Sequence, residues 1–150
     1  MGGVKQMLKV DIRPLLPGDI GRIIDIDEKL TGEQRTAIQA EIMVSDLGSA
    51  YDLSMVAEIE GNVVGFIIAR HVYLGEPITD TAAINYIGVD PEYGRRGIAS
   101  KLVNALMEKS KVKGIKTVRI PISEKDSKLE AFFKHIGFVP AKLKVYGKCI

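Results

Sequence analysis

At 150 residues and 16.4 kDa the chain is of a size for one domain, and 46% hydrophobic with 27% charged residues favours a packed core over disorder. A net charge of +2 gives no support to a general polyanion binder, and the single Cys149 excludes an intramolecular disulfide or a multi-cysteine metal centre. No apolar run reaches membrane-spanning length and Met1 to Val10 lacks a signal-peptide core, so the expectation is a cytoplasmic protein with no membrane association.

One domain is expected over residues 1–150, with residues 1–6 a loose extension. Leu8 to Arg13 alternates apolar and polar side chains as a first strand does, and Pro14 with Pro17-Gly18 ends it. A helix opens at Gly18 or Asp19 and runs to about Leu30, and a second is expected from Thr31 or Gly32 to Leu47. Leu53–Glu60 and Val63–Val72 read as strands joined by a Gly61-Asn62 hairpin turn. A loop with Gly75 and Pro77 follows, from Tyr73 to Asp80.

Ala83 to Val89 reads as a buried strand that Asp90-Pro91 stops, because Pro cannot continue a central ladder. From Arg95 the apolar period becomes helical, with Ile98, Leu102, Ala105 and Leu106 on one face. Ile115–Ile122 is a further strand, interrupted near Pro121. Ser123, with Asp126 three residues on, resembles a capping box opening a helix that carries Leu129, Phe132, Phe133 and Ile136 to Gly137. Phe138–Ile150 is expected to supply one or two last strands. The sum is a mixed layout of the α+β type: a hairpin-rich half, then crossover units.

The strand, basic turn and helix around Arg95 suit an anion. A first helical turn leaves N–H groups without intrahelical partners and carries partial positive charge. Gly97 and Ala99 keep the backbone approachable, while Arg95 and Arg96 add charge whose planar forks match phosphate oxygens. Neither Gly-Lys-Ser/Thr nor G-x-G-x-x-G is present. Two Arg and a Gly taken alone would favour a solvated basic loop opening an ordinary helix.

The longer run Ile87-Gly88-Val89-Asp90-Pro91-Glu92-Tyr93-Gly94-Arg95-Arg96-Gly97-Ile98-Ala99-Ser100 resembles the acetyl-CoA segment of the GNAT N-acetyltransferases. In that family a strand ending aliphatic-x-Val-x-Pro-x-Tyr meets a helix through Gln/Arg-x-x-Gly-x-Gly/Ala. Here Gly94 stands where Gln or Arg is usual, and Gly97 and Ala99 match. The element order agrees over roughly Val10 to Tyr146. The resemblance implies a mostly antiparallel central sheet flanked by helices, with two central strands splayed apart. It implies acetyl-CoA as cosubstrate, its pantetheine arm along Ile87, Gly88 and Val89 and its diphosphate on Arg95, Arg96, Gly97, Ile98, Ala99 and Ser100. Gly88 would remove side-chain bulk where that arm approaches.

The implied reaction is direct attack of a primary amine, on a small molecule or a protein N-terminus or lysine, without a covalent enzyme intermediate. The family's usual catalysts have no counterpart. Phe133 stands where a Tyr often protonates the thiolate, Ala83 where some members carry Glu, and Asp126 where an Asn often contacts the pantetheine arm. Catalytic residues are therefore unassigned, with Asn85, Tyr86, Glu76 and Asp80 the nearest polar side chains. His71 and His135 are expected to face solvent, and no metal site is expected. Asp25, Asp27, Glu28 and Glu33 would draw in a cationic acceptor, or simply form a charged helix surface. A second reading is a non-catalytic acyl-CoA sensor, favoured by Phe133 and Ala83. A nucleic-acid partner has only the Arg95-Arg96 patch behind it and is not expected. Oligomeric state is left open, a homodimer included.

Overall fold

A computed structural model describes residues 8–74 and 78–150; the N-terminal extension expected at residues 1–6 and the loop residues Gly75, Glu76 and Pro77 lie outside it. The chain runs β1 (Val10–Pro14), a 3-10 turn (Pro17–Asp19), α1 (Ile20–Thr31), α2 (Ala37–Met43), β2 (Met55–Ile59) and β3 (Asn62–Leu74). It continues through β4 (Thr79–Val89), a second 3-10 turn (Pro91–Tyr93), α3 (Ile98–Val112), β5 (Thr117–Arg119) and α4 (Ser127–His135). The five strands form one sheet in chain order. β1 to β4 are mutually antiparallel, and β5 joins β4 in parallel after the α3 crossover. This is the mixed, mostly antiparallel sheet with flanking helices that the resemblance implied.

Two apolar layers sandwich the sheet. Ile23 and Ile26 of α1 and Met43 of α2 pack on Val56, Phe66 and Ile68. On the other side, Ile98, Leu102, Val103 and Leu106 of α3 and Phe133 of α4 pack on Ala57, Val64, Ile67 and Ile84. A bulge divides β4 between these layers. Ile68 faces Tyr86 and Ala69 faces Ile84, which leaves Asn85 as an extra residue. Ile84 consequently joins the α3 layer and Tyr86 the α1 layer, although residues two apart in a regular strand share a face.

Several boundaries differ from the sequence reading. The second helix keeps only Ala37–Met43, because Gly32 caps α1 in a left-handed conformation (φ 73°) and Thr36, bonded to the Gln39 amide, opens a new helix. The hairpin turn centres on Glu60-Gly61 (φ 51° and 80°), and Asn62 already begins β3. Asp126, not Ser123, caps α4: its carboxylate accepts from the Leu129 amide at 3.1 Å. β5 is only three residues long, since Pro121 has no N–H to extend it. Phe138–Ile150 forms no strand, because no described strand lies beside it.

Gly88 has a packing reason of its own. A Cβ there would lie 2.7 Å from Leu30 Cδ1 and 2.9 Å from Phe66 Cε1. The tip of Leu30 is half-exposed and can yield, whereas Phe66 is buried and cannot. Gly88→Ala is therefore expected to lower unfolding stability by about 1–3 kcal/mol through overpacking. Urea denaturation checks this: a lower midpoint with unchanged slope is expected.

Candidate functional site

The parallel pairing of β4 with β5 ends at Ala83 opposite Arg119, yet β4 continues six residues to Val89, paired on its other side with β3 as far as Gly65. From Ile84 to Val89 the β5-side edge of β4 has no strand across from it among the described residues, because β5 ends at Arg119, opposite Ala83. Ile87 and Val89 turn their N–H and C=O groups to this open edge, while Gly88 between them turns its own to β3, where its O lies beside Gly65. In a packed protein, backbone donors and acceptors so placed must find partners in water or in a ligand.

At the far end of this open edge the chain turns through Asp90 to Gly97 and enters α3. Gly97 occupies the N-cap position at φ 72°, where L-residues are strained, and offers no side chain to cap the helix. Nothing lies within 4 Å of where its Cβ would be, so backbone conformation and open access, not packing, call for glycine. Arg95 is also left-handed, at φ 61°, uncommon for a residue with a side chain. The first bond into the helix is from Lys101 N–H to Gly97 O, at 3.0 Å. Among the described residues, none of the six backbone N–H groups from Arg95 to Ser100 has an acceptor. Ile98 is buried, which roots the helix start in the core, while Arg95, Arg96 and Gly97 are exposed.

Neither arginine is neutralised by a carboxylate among the described residues; Arg96 instead lies over the Tyr93 ring, 5.3 Å from its centroid. Six free donors and two unpaired guanidinium groups at one helix entrance can together hold a diphosphate. The residues singled out from sequence are thus brought together as two adjoining surfaces: Ile87–Val89 on the open strand and Arg95–Ser100 at the turn.

Asp90 joins these surfaces, and it was not among the residues singled out. It is fully buried, bonded to Arg22 Nη2 and Lys29 Nζ of α1, and accepts from the Glu92 amide at 3.0 Å. Its own N–H donates to Val64 O, at 2.8 Å. Burial pushes the carboxyl pKa up, but the Glu92 amide, Arg22 and Lys29 outweigh it and hold the group below its ordinary value. The Asp-Pro signal in the sequence shows a strand stop; its buried ion pairs depend on α1 and were invisible locally.

The α1 side has its own polar cluster. Asp27 is buried and grips Arg35 through both carboxylate oxygens, and the Arg35 guanidinium lies 5.1 Å from the Tyr86 ring centroid. Asp27 is therefore no free charge for a cationic acceptor, whereas Asp25, Glu28 and Glu33 remain exposed. His135 faces solvent as expected; His71 is half-buried, with Nε2 2.9 Å from Asp80 Oδ1 on the neighbouring strand. Phe133 is 2% exposed and meets Phe132 and Phe138 edge-on at 5.0 and 4.9 Å between centroids. It is a core residue. No group of three or more potential metal-ligating side chains occurs among the described residues.

A family model, the acetyltransferase (GNAT) family, matches residues 23–138, a span that holds the open strand, the turn and α3. The chain belongs to the GNAT acetyltransferase family. It is accordingly an acyltransferase. The GNAT chain is also similar in fold to three solved structures of low identity. One is an aminoglycoside N-acetyltransferase, AAC(6′)-Iy, in complex with CoA (18% identity, 97% of this chain and 98% of that one, TM-score 0.75). Another is a ribosomal-protein-alanine N-acetyltransferase from Brucella melitensis biovar Abortus 2308 (18%, 94% and 99%, TM-score 0.75). A third is a transcriptional regulator from Bacillus halodurans C-125 (17%, 95% and 100%, TM-score 0.79).

The carboxyls of Asp90 and of Asp19, whose pKa is lowered chiefly by its bond to Arg13, titrate lower in this GNAT fold than in the unfolded chain. As pH falls through the ordinary carboxylate value of about 4, the unfolded chain takes up protons first and stability declines. The decline ends once both groups protonate in the fold as well. Asp90→Asn is expected to cost about 1.5–3 kcal/mol at pH 7 and to make the acid limb shallower. Thermal melts from pH 7 to pH 2 measure both effects.

Proposed function

We propose that this GNAT chain moves an acetyl group from acetyl-CoA to a primary amine, on a small molecule or on a protein N-terminus or lysine. The observation that carries the reading is the run of six acceptor-free N–H groups, Arg95 to Ser100, at the end of a half-unpaired strand. Bound acetyl-CoA would supply the acetyl group already activated as a thioester. The backbone at Arg95, Gly97, Ile98, Ala99 and Ser100 would hold the diphosphate, with the Arg95 and Arg96 side chains adding charge. The open edge at Ile87, Gly88 and Val89 would take the pantetheine arm as a strand takes its neighbour. The CoA complex of the similar aminoglycoside enzyme supports the cosubstrate, and the two similar N-acetyltransferases support an amine acceptor.

The acetyl group passes directly to the amine in this reading. Cys149 is exposed and twelve residues beyond Gly137, with neither histidine near it in sequence, so nothing prepares it as a nucleophile. Phe133 and Ala83 carry no transferable proton. The protein's contribution is orientation of the reactants and polarisation of the acetyl carbonyl by a strand N–H near Ile87. On the Ile84–Val89 segment the polar side chains are Asn85 and Tyr86; Tyr86 sits beneath Arg35, on the α1 side where the acceptor would enter.

Arg95→Ala and Arg96→Ala test the placement of the nucleotide end. Both side chains are exposed, so each loss should weaken acetyl-CoA by about 1 kcal/mol, roughly fivefold. S-Acetyl-pantetheine, which lacks the diphosphate, should be nearly unaffected, and the acceptor KM should not move. Equal losses for both thioesters, measured by thiol release, would remove the assignment. CoA binding without turnover on any amine would favour the sensor reading instead.

A further inference from the structure

Ile38 and Ile42 lie one turn apart on α2, so they share a face, and they are 69% and 63% exposed. The next residue, Met43, is buried and roots the helix in the α1 layer. This stripe adjoins the candidate site. Ile42 and Asn85, the bulge residue of β4, line one hollow, and Leu30, 48% exposed, comes up against Gly88. Three exposed apolar side chains thus flank the half-open segment of β4 on its α1 side. Water is a poor partner for such a stripe.

Most acids here are already engaged or turned away. Asp27, Asp46 and Asp90 are each bound by an arginine: Arg35, Arg70 and Arg22. Asp25 and Glu28 stand roughly 140–160° round α1 from Leu30. Glu33 and Glu41 remain exposed, too few to hold a molecule carrying several ammonium groups. The hollow between Ile42 and Asn85 is about 10 Å³, room for one water, whereas a small-molecule site encloses most of its ligand. A larger groove of about 800 Å³ lies beside β5, between α3 and α4, in the other layer. The acceptor side is therefore an open apolar stripe, suited to a chain laid across it.

We propose that the acceptor is the α-amino group of a polypeptide whose first side chain is apolar, with Ile38 and Ile42 selecting that side chain. Such selection presupposes the proposed acetyl transfer from CoA and specifies its amine. An α-amine also suits a site without an assigned base, since Phe133 and Ala83 carry no transferable proton. At pH 7 about a tenth of α-amino groups are neutral, against roughly four in ten thousand lysine side chains. The neutral amine attacks the thioester carbonyl carbon. A C–N bond forms, the C–S bond breaks, and the surplus proton on nitrogen passes through water to the departing thiolate. The products are an N-acetylated polypeptide and CoA thiol.

Thiol release by the full-length chain at pH 7 tests this on hexapeptides that differ only in the first residue: Ile, Ser or Lys. An N-blocked peptide with one internal lysine, and spermidine as a small polycation, complete the panel. The Ile-first peptide should exceed the Ser-first and Lys-first peptides about tenfold in kcat/KM. The blocked peptide should fall at least tenfold below it. Ile38→Asp with Ile42→Asp should erase the preference by raising the KM of the Ile-first peptide, with acetyl-CoA affinity by calorimetry and the circular dichroism spectrum unchanged. Ile42→Val, which keeps an apolar surface, should keep the preference. Faster turnover of spermidine or of the blocked lysine would overturn the proposal while leaving acetyl transfer standing. An apolar preference that survives the double substitution would overturn the selecting role of α2. So would a dimer that the double substitution dissolves, because a second copy would then cover the stripe. CoA binding without turnover of any amine would instead defeat the acetyl transfer itself, and this selection with it.

Discussion

Between Ile84 and Val89, β4 has a strand on one side only among the described residues, and the geometry of the candidate site follows from that. Full pairing with β5 would consume the backbone groups on this edge. Pro121, which has no N–H, and the three-residue length of β5 prevent it. The sheet instead keeps its continuity through β3, whose antiparallel partnership with β4 reaches Val89. β4 is thus rigidly held and half-open at once, as a surface that recognises an extended ligand by main chain needs to be.

The open edge becomes part of a site only because α3 begins where it ends. Asp90 fixes that meeting point, being the last residue before the turn and fully buried against two cations of α1. A buried carboxylate is costly unless paired, and here the Glu92 amide, Arg22 and Lys29 outweigh that cost while fixing where the turn begins. Ile98 roots the other end of the turn in the core. Between these anchors, Gly97 and Arg95 adopt left-handed conformations that leave their own and neighbouring N–H groups free of acceptors. Gly88 is held by packing: its missing side chain makes room for Phe66 on the α1 face.

Much of this was legible in the sequence because it is local. The β2–β3 hairpin, α1 and the strand-turn-helix at the site rest on periodicity, Gly and Pro, which need no distant partner to be read. The turn residues Arg95 to Ser100 were legible for the same reason. What stayed hidden was set by contacts across the fold. The bulge at Asn85 leaves the composition of β4 unremarkable yet inverts the faces of Ile84 and Tyr86. Asp27 looks like a free acid until Arg35 is seen to hold it, and His71 looks isolated until Asp80 comes beside it from the next strand. The strand pattern after Phe138 is real in the sequence, but a strand requires a neighbour, and none of the described strands lies beside it.

In the proposed function one ligand bridges the open edge of β4 and the entrance of α3. Titrating isotopically labelled protein with CoA and following the backbone amides by NMR tests it most directly. The largest shifts are expected on Ile87 to Val89 and on Arg95 to Ser100, with both sets saturating together at one affinity. Shifts confined to one set, or centred on the groove beside β5, would contradict it.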